Sequence, residues 1–271
     1  MSGDASDMVQ GYIYYFGTWE PNLTEYIRKS LSDPTRTFID IGANVGYFSL
    51  LASGLLTRGR VVSIEALPEI CRKLAHNVEL NRVANIRIVN CAVSDQPGQL
   101  TMHHAIGNEG ASTSKSAAVS RQADRFDPQA VIVPALPVDQ ILSDVEIDGA
   151  RFLKIDVEGA EFDVLSGLFR IIDRLPFDAE VAVELNPHIL SAQELAQVFD
   201  KFAQFGFLPY VVANDYRPDY YISRPGAKPP TRLDGLPQEP KDVIFSRMQP
   251  VPEGPANDAP PPAGNQASPH H

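Results

Sequence analysis

The chain has 271 residues, 44% hydrophobic and 21% charged, a balance that suits a folded α/β chain and is too apolar for a disordered one. Lys and Arg number 23 against 34 Asp and Glu, and the net charge of −11 argues against general nucleic-acid affinity, which rests on positive charge. The two cysteines, Cys71 and Cys91, are too few for a disulfide framework or a four-thiolate zinc site, and buried free thiols are expected.

The opening residues lack the basic region and apolar core of a signal peptide, and every apolar run is strand-sized. A cytoplasmic location without membrane contact is therefore expected. Residues 1–7 should fray and 8–249 should form one domain. Residues 37–41 read as a buried strand after a Pro-containing turn, broken by Gly-Ala-Asn-Val-Gly before a helix at 47–53. A second strand at 60–65 leads to a helix over 68–81, with Pro68 near its first turn where a missing N–H does no harm. A third strand follows at 86–89.

The stretch 99–136 departs from this rhythm as an insertion. Strands are expected near 99–104 and 131–136, around a Ser-, Ala- and Gly-rich middle that is either a lid or a surface loop. His103 and His104 sit on the first of these strands and so point to opposite faces. The alternation resumes with a strand at 151–156, a helix at 159–169, a strand at 179–185 and a helix at 191–205. Ser191 and Glu194 form the Ser-x-x-Glu of a capping box. Residues 207–212 and 243–245 are the last strands. The connection between them, 213–241, carries Tyr216, Arg217, Tyr220, Tyr221 and Arg224 but no helical pattern, so an antiparallel final pair is expected. Residues 250–271 hold seven prolines and no bulky hydrophobe beyond Val251, the composition of a disordered tail. Alternating strands and helices imply a mostly parallel sheet covered on both faces.

In such sheets ligands bind beyond the carboxyl ends of the strands. The first strand ends Phe38-Ile-Asp-Ile-Gly-Ala-Asn-Val-Gly46. Gly42 permits close approach to a ligand and Gly46 lets the next helix pack near the strand. The spacing is G-x-x-x-G rather than the G-x-G-x-x-G of dinucleotide sites, and Asp40 would repel a pyrophosphate. An ammonium or zwitterion matches Asp40 better. Glu65 ends the second strand, where an acid can accept both ribose hydroxyls of an adenosine. The pair tips the choice toward S-adenosylmethionine; the bland alternative is a turn-capping Asp40 and a solvated Glu65.

Further blocks extend this pattern: Phe16-Gly-Thr-Trp-Glu-Pro21, Val62-Ser-Ile-Glu-Ala66, Asn77-Val-Glu-Leu-Asn81, Val89-Asn-Cys-Ala-Val-Ser-Asp95, Leu153-Lys-Ile-Asp-Val-Glu-Gly-Ala-Glu161 and Val183-Glu-Leu-Asn-Pro187. In this ordered series, from about Tyr15 to Pro187, the chain resembles the FkbM family of S-adenosylmethionine-dependent methyltransferases, most of whose members methylate oxygen. The resemblance implies a Rossmann-like class I methyltransferase fold. Its α/β sheet has seven strands in the order 3-2-1-4-5-7-6, mostly parallel with the last antiparallel, and helices on both faces. It also implies that Asp40, Gly42, Asn44 and Gly46 surround the methionine part of the cofactor, that Glu65 holds the ribose, and that Ala66 lines the adenine. Asn90, Cys91 and Ala92 would contact the base, and Trp19 and Glu20 belong to an N-terminal segment, 8–35, that folds over the site.

Asp156 and Glu158 end a central strand with the same parity. Glu161 belongs to the helix start, where its charge suits the dipole. Lys154 lies deeper and needs a carboxylate partner if buried. Glu184, Asn186 and His188 close the neighbouring strand. Asp156 or Glu184 is the expected general base, with His188 as a nearby base or anchor. Asp156, Glu184 and Asn186 are also oxygen ligands of the kind Mg²⁺ takes, an alternative that is weighed and not favoured. The expected reaction is O-methylation of a hydroxyl on a sugar or natural-product small molecule, the tyrosines and arginines of 213–241 suiting a carbohydrate or phosphorylated acceptor. The competing readings are a nicotinamide-dependent oxidoreductase, which lacks its glycine turn here, and a catalytically inactive partner of the same fold. A homo-oligomer stays open.

Overall fold

Strand β1 (Thr37–Ile41) is buried at every residue and sits near the middle of the main sheet. A computed structural model describes residues 7–103, 113, 129–223 and 226–249. The expected tail at 250–271, His104, Arg224 and all of the polar 107–126 stretch but Thr113 lie outside them. β1 pairs in parallel with β2 (Arg60–Ile64) on one side and β7 (Ala150–Ile155) on the other. β3 (Ile86–Val89) continues in parallel beyond β2, and β8 (Glu180–Leu185) beyond β7. β11 (Lys241–Ser246) runs antiparallel between β8 and β9 (Leu208–Val212). A two-residue strand, β10 (Thr231–Arg232), adds an antiparallel edge to β9. The order is β10-β9-β11-β8-β7-β1-β2-β3, eight strands where seven were expected. Two residues paired on one edge leave no readable sequence pattern, which is why β10 escaped notice.

Burial on both faces follows from strand parity. Phe38 and Phe152 point to the side covered by α2 (Pro21–Ser30) and α3 (Tyr47–Leu55), where Leu23, Ile27, Phe48 and Ala52 meet them. Ile39 and Leu153 point the other way, into a core shared with α7 (Glu161–Leu168) and α8 (Ala192–Gln204). The capping box at Ser191 and Glu194 is formed. The insertion contributes β5 (Gly98–Met102) and β6 (Val131–Leu136), which with β4 (Ala92–Val93) make a second sheet, ordered β4-β6-β5. It packs on α4 (Pro68–Leu80) through Ile70, Met102 and Val133. Short helices α5 (Val138–Ile141) and α6 (Asp144–Asp148) lead back to β7. Both cysteines are buried and free.

Asp7, grouped by sequence with the fraying start, is buried and caps α1 (Met8–Phe16) by accepting from the Gln10 N–H. The 213–241 connection does contain a helix, α9 (Pro218–Ser223). Its six residues are too few to show a helical period, and Pro218 starts it as proline starts helices elsewhere. The N-terminal segment and this connection clasp each other. The Tyr12 hydroxyl donates to the Tyr216 carbonyl at 2.6 Å, and Asn22 Nδ2 donates to the Ala213 carbonyl at 2.6 Å. Among the described residues no helix is long and apolar enough to cross a membrane.

Candidate functional site

Two adjoining cavities open at the carboxyl ends of β1, β2, β7 and β8. The first is lined by Gly42, Asn44, Glu65, Ala66, Leu67, Cys91, Ala92, Leu100, Met102, Asp156 and Glu158 among others. The second is lined by Trp19, Glu20, Asp40, Gly42, Asn44, Tyr47, Phe48, Lys154, Asp156, Glu158, Glu184 and Tyr216 together with residues of α1 and the β1–α3 turn. Gly42, Asn44, Asp156 and Glu158 border both, so the two are halves of one cleft.

The turn after β1 requires its first glycine. Gly42 has φ +79, and a Cβ there would lie 1.8 Å from the Asp156 carbonyl oxygen. Gly42→Ala therefore has to push the β7 end aside, and its melting temperature is expected to fall by roughly 5 °C or more in calorimetry. An unchanged transition would show that the turn relaxes without moving Asp156. Gly46, φ +91, forms the start of α3 with Leu74 of α4 packed where its Cβ would be. Three of the four non-glycine residues with positive φ among those described, Glu20, Asn44 and Glu158, line the cleft. Strained backbone of this sort is retained where a site needs a particular side-chain direction.

Glu65 closes the first cavity. Its two oxygens accept from the N–H groups of Asn44 at 2.9 Å and Leu67 at 3.0 Å, while burial pushes its pKa to about 7. Each carboxylate oxygen keeps a lone pair for a further donor. Asn90 lines neither cavity; its amide donates to the carbonyls of Glu65 and Ala66 and so fixes the loop that carries them.

In the second cavity Asp40 is buried, with Oδ2 accepting from the Ser49 hydroxyl at 2.6 Å and Oδ1 without a partner. Burial raises its pKa against the pull of Lys154. The Asn44 Oδ1 is likewise buried and unpartnered. Lys154 finds the carboxylate its burial demands in Asp156, at 2.8 Å, and lies 5.0 Å from the centre of the Phe48 ring. Burial works against its ammonium, but Asp156, Glu20 and Asp40 hold it above the ordinary lysine range. The surrounding acids crowd one another. Burial and the charges of Asp156, Glu184 and Glu161 push Glu158 up to about 9; burial, Asp156 and Asp242 push Glu184 up to about 8. Burial lifts Glu161 to about 7 at the start of α7, its Oε1 accepting from the Gly159 N–H. Asp156, Glu158 and Glu184 bring carboxylate oxygens within 4.8 Å of one another, a spacing a metal ion could bridge.

His188 is exposed, its N–H donating to Asn186 Oδ1, and neither residue lines the cleft. Arg217 is also exposed; it pairs with Asp215 and does not line the cleft. Sequence reasoning missed Tyr47 and Phe48, which the first turn of α3 turns toward the cleft, and Asp242, the register partner of Glu184 on β11. Tyr216 was within the flagged connection, but its contact with Glu20 depends on the clasp between distant segments.

The profile of the methyltransferase FkbM domain matches residues 40–209. The AMB antimetabolite synthetase AmbE of Pseudomonas aeruginosa is 29% identical over 165 residues, 50% of this chain and 8% of that protein. Methyltransferase 1 of Beauveria bassiana is 26% identical over 151 residues, 50% of this chain and 59% of that protein. The chain thus spans less than two thirds of the length of either relative. A crystal structure of methyltransferase FkbM from Methylobacillus flagellatus aligns with 90% of this chain and 56% of its own, at 17% identity and a TM-score of 0.46.

Proposed function

The chain belongs to the FkbM methyltransferase domain family, and on that premise we propose that it methylates a hydroxyl oxygen of a sugar or natural-product small molecule, using S-adenosylmethionine. The observation that carries the reading is the unpartnered Asp40 Oδ1, buried where Asp40 lines the second cavity with the glycine turn, while Glu65, just past the end of β2, lines the first. A buried carboxylate oxygen without a donor is costly, and an ammonium is the donor that best satisfies it. Asp40, Gly42, Asn44 and the Gly46 turn would hold the methionine end, with Trp19 closing over it. Glu65 would accept the ribose hydroxyls, and Ala66, Cys91 and Ala92, beside Leu100 and Met102, would flank the base.

When bound, S-adenosylmethionine supplies a methyl group already activated on its sulfonium. The chain's own task is then to align an oxygen nucleophile and take its proton. Glu184 Oε is the proton acceptor in this reading, and Asp156, paired with Lys154, orients the acceptor hydroxyl beside it. A panel of hydroxylated sugars and secondary metabolites, incubated with labelled S-adenosylmethionine and read by mass spectrometry, tests the assignment. A methylated ether supports it; a redox product, or cofactor binding with no product from any acceptor, favours the oxidoreductase or inactive-partner alternative.

Glu65→Gln provides a separate check on the ribose site. Charge-assisted hydrogen bonds contribute roughly 1.5–3 kcal/mol each, so S-adenosylhomocysteine affinity in titration calorimetry should fall by at least about tenfold. The ribose hydroxyls favour the ionised carboxylate, whose pKa is raised to about 7 in the free protein. Wild-type affinity is accordingly expected to rise with pH up to about 7 and then level, and the Gln variant to lose that dependence. Equal affinities at every pH would remove Glu65 from the site.

A further inference from the structure

The second cavity holds more carboxyl groups than the proposed cofactor can use. Glu20, Asp40, Asp156, Glu158 and Glu184 line it, and among the described residues Lys154 is the one Lys or Arg in its lining. Lys154 is committed to Asp156, and the methionine ammonium would take Asp40. Glu20 is left over. It is 5% exposed; Oε1 accepts from the Tyr216 hydroxyl at 3.0 Å, and Oε2 is buried with no partner. Its backbone is held in the left-handed region, φ 43, as the N-cap of α2, and its N–H donates to the Tyr221 hydroxyl at 3.2 Å. Burial, with the Asp242 charge, raises its pKa well above the ordinary carboxylate value, so a cation beside it would restore the carboxylate. Glu20 shares the second cavity with Glu184, the proposed base, and with Tyr216, and does not line the first.

The walls there are aromatic. The rings of Trp19 and Tyr216 lie 5.3 Å apart and tilted by 37°, with Tyr47 and Phe48 lining the same cavity. Aromatic faces attract cations, most strongly where water is excluded. We infer that the acceptor carries a positively charged amino group beside its hydroxyl, with Glu20 Oε2 as its counter-ion and the rings of Trp19 and Tyr216 as its wall. This rests on the methyltransferase reading and names the substrate class of that site: an amino alcohol, an amino sugar or an amino-acid derivative.

A divalent metal on Asp156, Glu158 and Glu184 would answer the same surplus of carboxyl groups less well. It would sit beside the Lys154 ammonium, 2.8 Å from Asp156 Oδ2, and like charges repel strongly where water is scarce. Aromatic walls also contribute nothing to a cation that takes six or more oxygens.

The test uses the full chain saturated with S-adenosylhomocysteine and two probes of one shape, choline and its neutral isostere 3,3-dimethyl-1-butanol. Titration calorimetry should find choline bound at least about tenfold more tightly. Glu20→Gln should remove that preference while S-adenosylhomocysteine affinity stays within about twofold of wild type. Tyr216→Leu, a second variant in case the first fails to fold, should weaken choline in the same way. Equal affinity for the two probes overturns the inference. So does a Glu20→Gln protein that loses S-adenosylhomocysteine instead of choline, since Glu20 would then serve the cofactor. Displacement of choline by Mg²⁺ alone, with choline no tighter than the isostere, overturns it in favour of a metal. Failure of the wild type to bind S-adenosylhomocysteine would be a failure of the methyltransferase reading itself, distinct from all of these.

Discussion

Glu184→Gln is expected to lower turnover by about 10²–10⁴-fold with S-adenosylhomocysteine still bound, the loss typical of a removed general base. Glu184 is half-buried at the end of β8, and burial together with Asp156 and Asp242 raises its pKa to about 8. Asp156 is the weaker candidate for the same task, because the Lys154 ammonium already occupies its Oδ2. The sign of the pH dependence follows. A base works when ionised, so kcat/KM should climb about tenfold per pH unit below about 8 and flatten above it, and the Gln variant should lose the slope. A bound cationic acceptor would stabilise the Glu184 carboxylate, so kcat should level at a lower pH than kcat/KM does. Chelators are expected to leave turnover intact, and His188→Ala should behave as wild type because His188 lines neither cavity. Full activity in both Glu184→Gln and Asp156→Asn would place the proton elsewhere. Strict Mg²⁺ dependence of stripped enzyme would defeat the metal-free reading.

What could be read from the residues was whatever rests on short-range pattern. The largely apolar runs at 37–41 and 150–155 announce buried strands, and Ser191 with Glu194 announces the start of α8. Lys154 is legible in a different way: a lysine inside such a strand needs a carboxylate, and Asp156 two residues on is the one it finds. Asp156 and Glu158 do reach the same cleft, but not by strand parity: both lie beyond β7, in a turn that leaves strand geometry, with Glu158 at φ 51 and Gly159 at φ 103. Helices α1, α2 and α9 were not seen as helices. Their function is tertiary: Tyr12 packs on Tyr221 at 4.7 Å, and Glu20 meets Tyr216 across a separation of 196 residues. No window of sequence contains both partners. The surplus of acid was illegible for the same reason, since Asp242 reaches Glu184 only through strand register.

Arg151→Met is expected to destabilise the fold by about 3–5 kcal/mol, the cost of leaving a buried carboxylate without its ion-pair partner. The carboxylate is Glu180, 2% exposed on β8, whose Oε2 lies 2.8 Å from Arg151 Nη1. Two further donors reach it from α2, the Tyr26 hydroxyl at 2.6 Å and the Ser30 hydroxyl at 2.9 Å. Burial and the Glu180 charge push the Tyr26 hydroxyl well above the tyrosine range, so it remains a donor at every working pH. Arg151 also donates to the Asp178 carbonyl at 2.7 Å, and Asp178 in turn is held by both Arg36 terminal nitrogens. At roughly 2–4 °C per kcal/mol for a chain of this size, the melting temperature should drop by about 6–20 °C. Adding Glu180→Gln to Arg151→Met should recover a large part of the loss, because a neutral amide replaces the stranded charge and can still accept from Tyr26. A loss below about 1 kcal/mol in the single variant, or no recovery in the double, would mean that solvent reaches Glu180 and that the pair is worth no more than a surface salt bridge. The consequence extends to the cleft, because Glu20 is the N-cap of α2. Loosening Tyr26 and Ser30 frees the helix whose N-cap is proposed to face the acceptor, so Arg151→Met should also weaken choline binding below its melting transition, with S-adenosylhomocysteine affinity less affected.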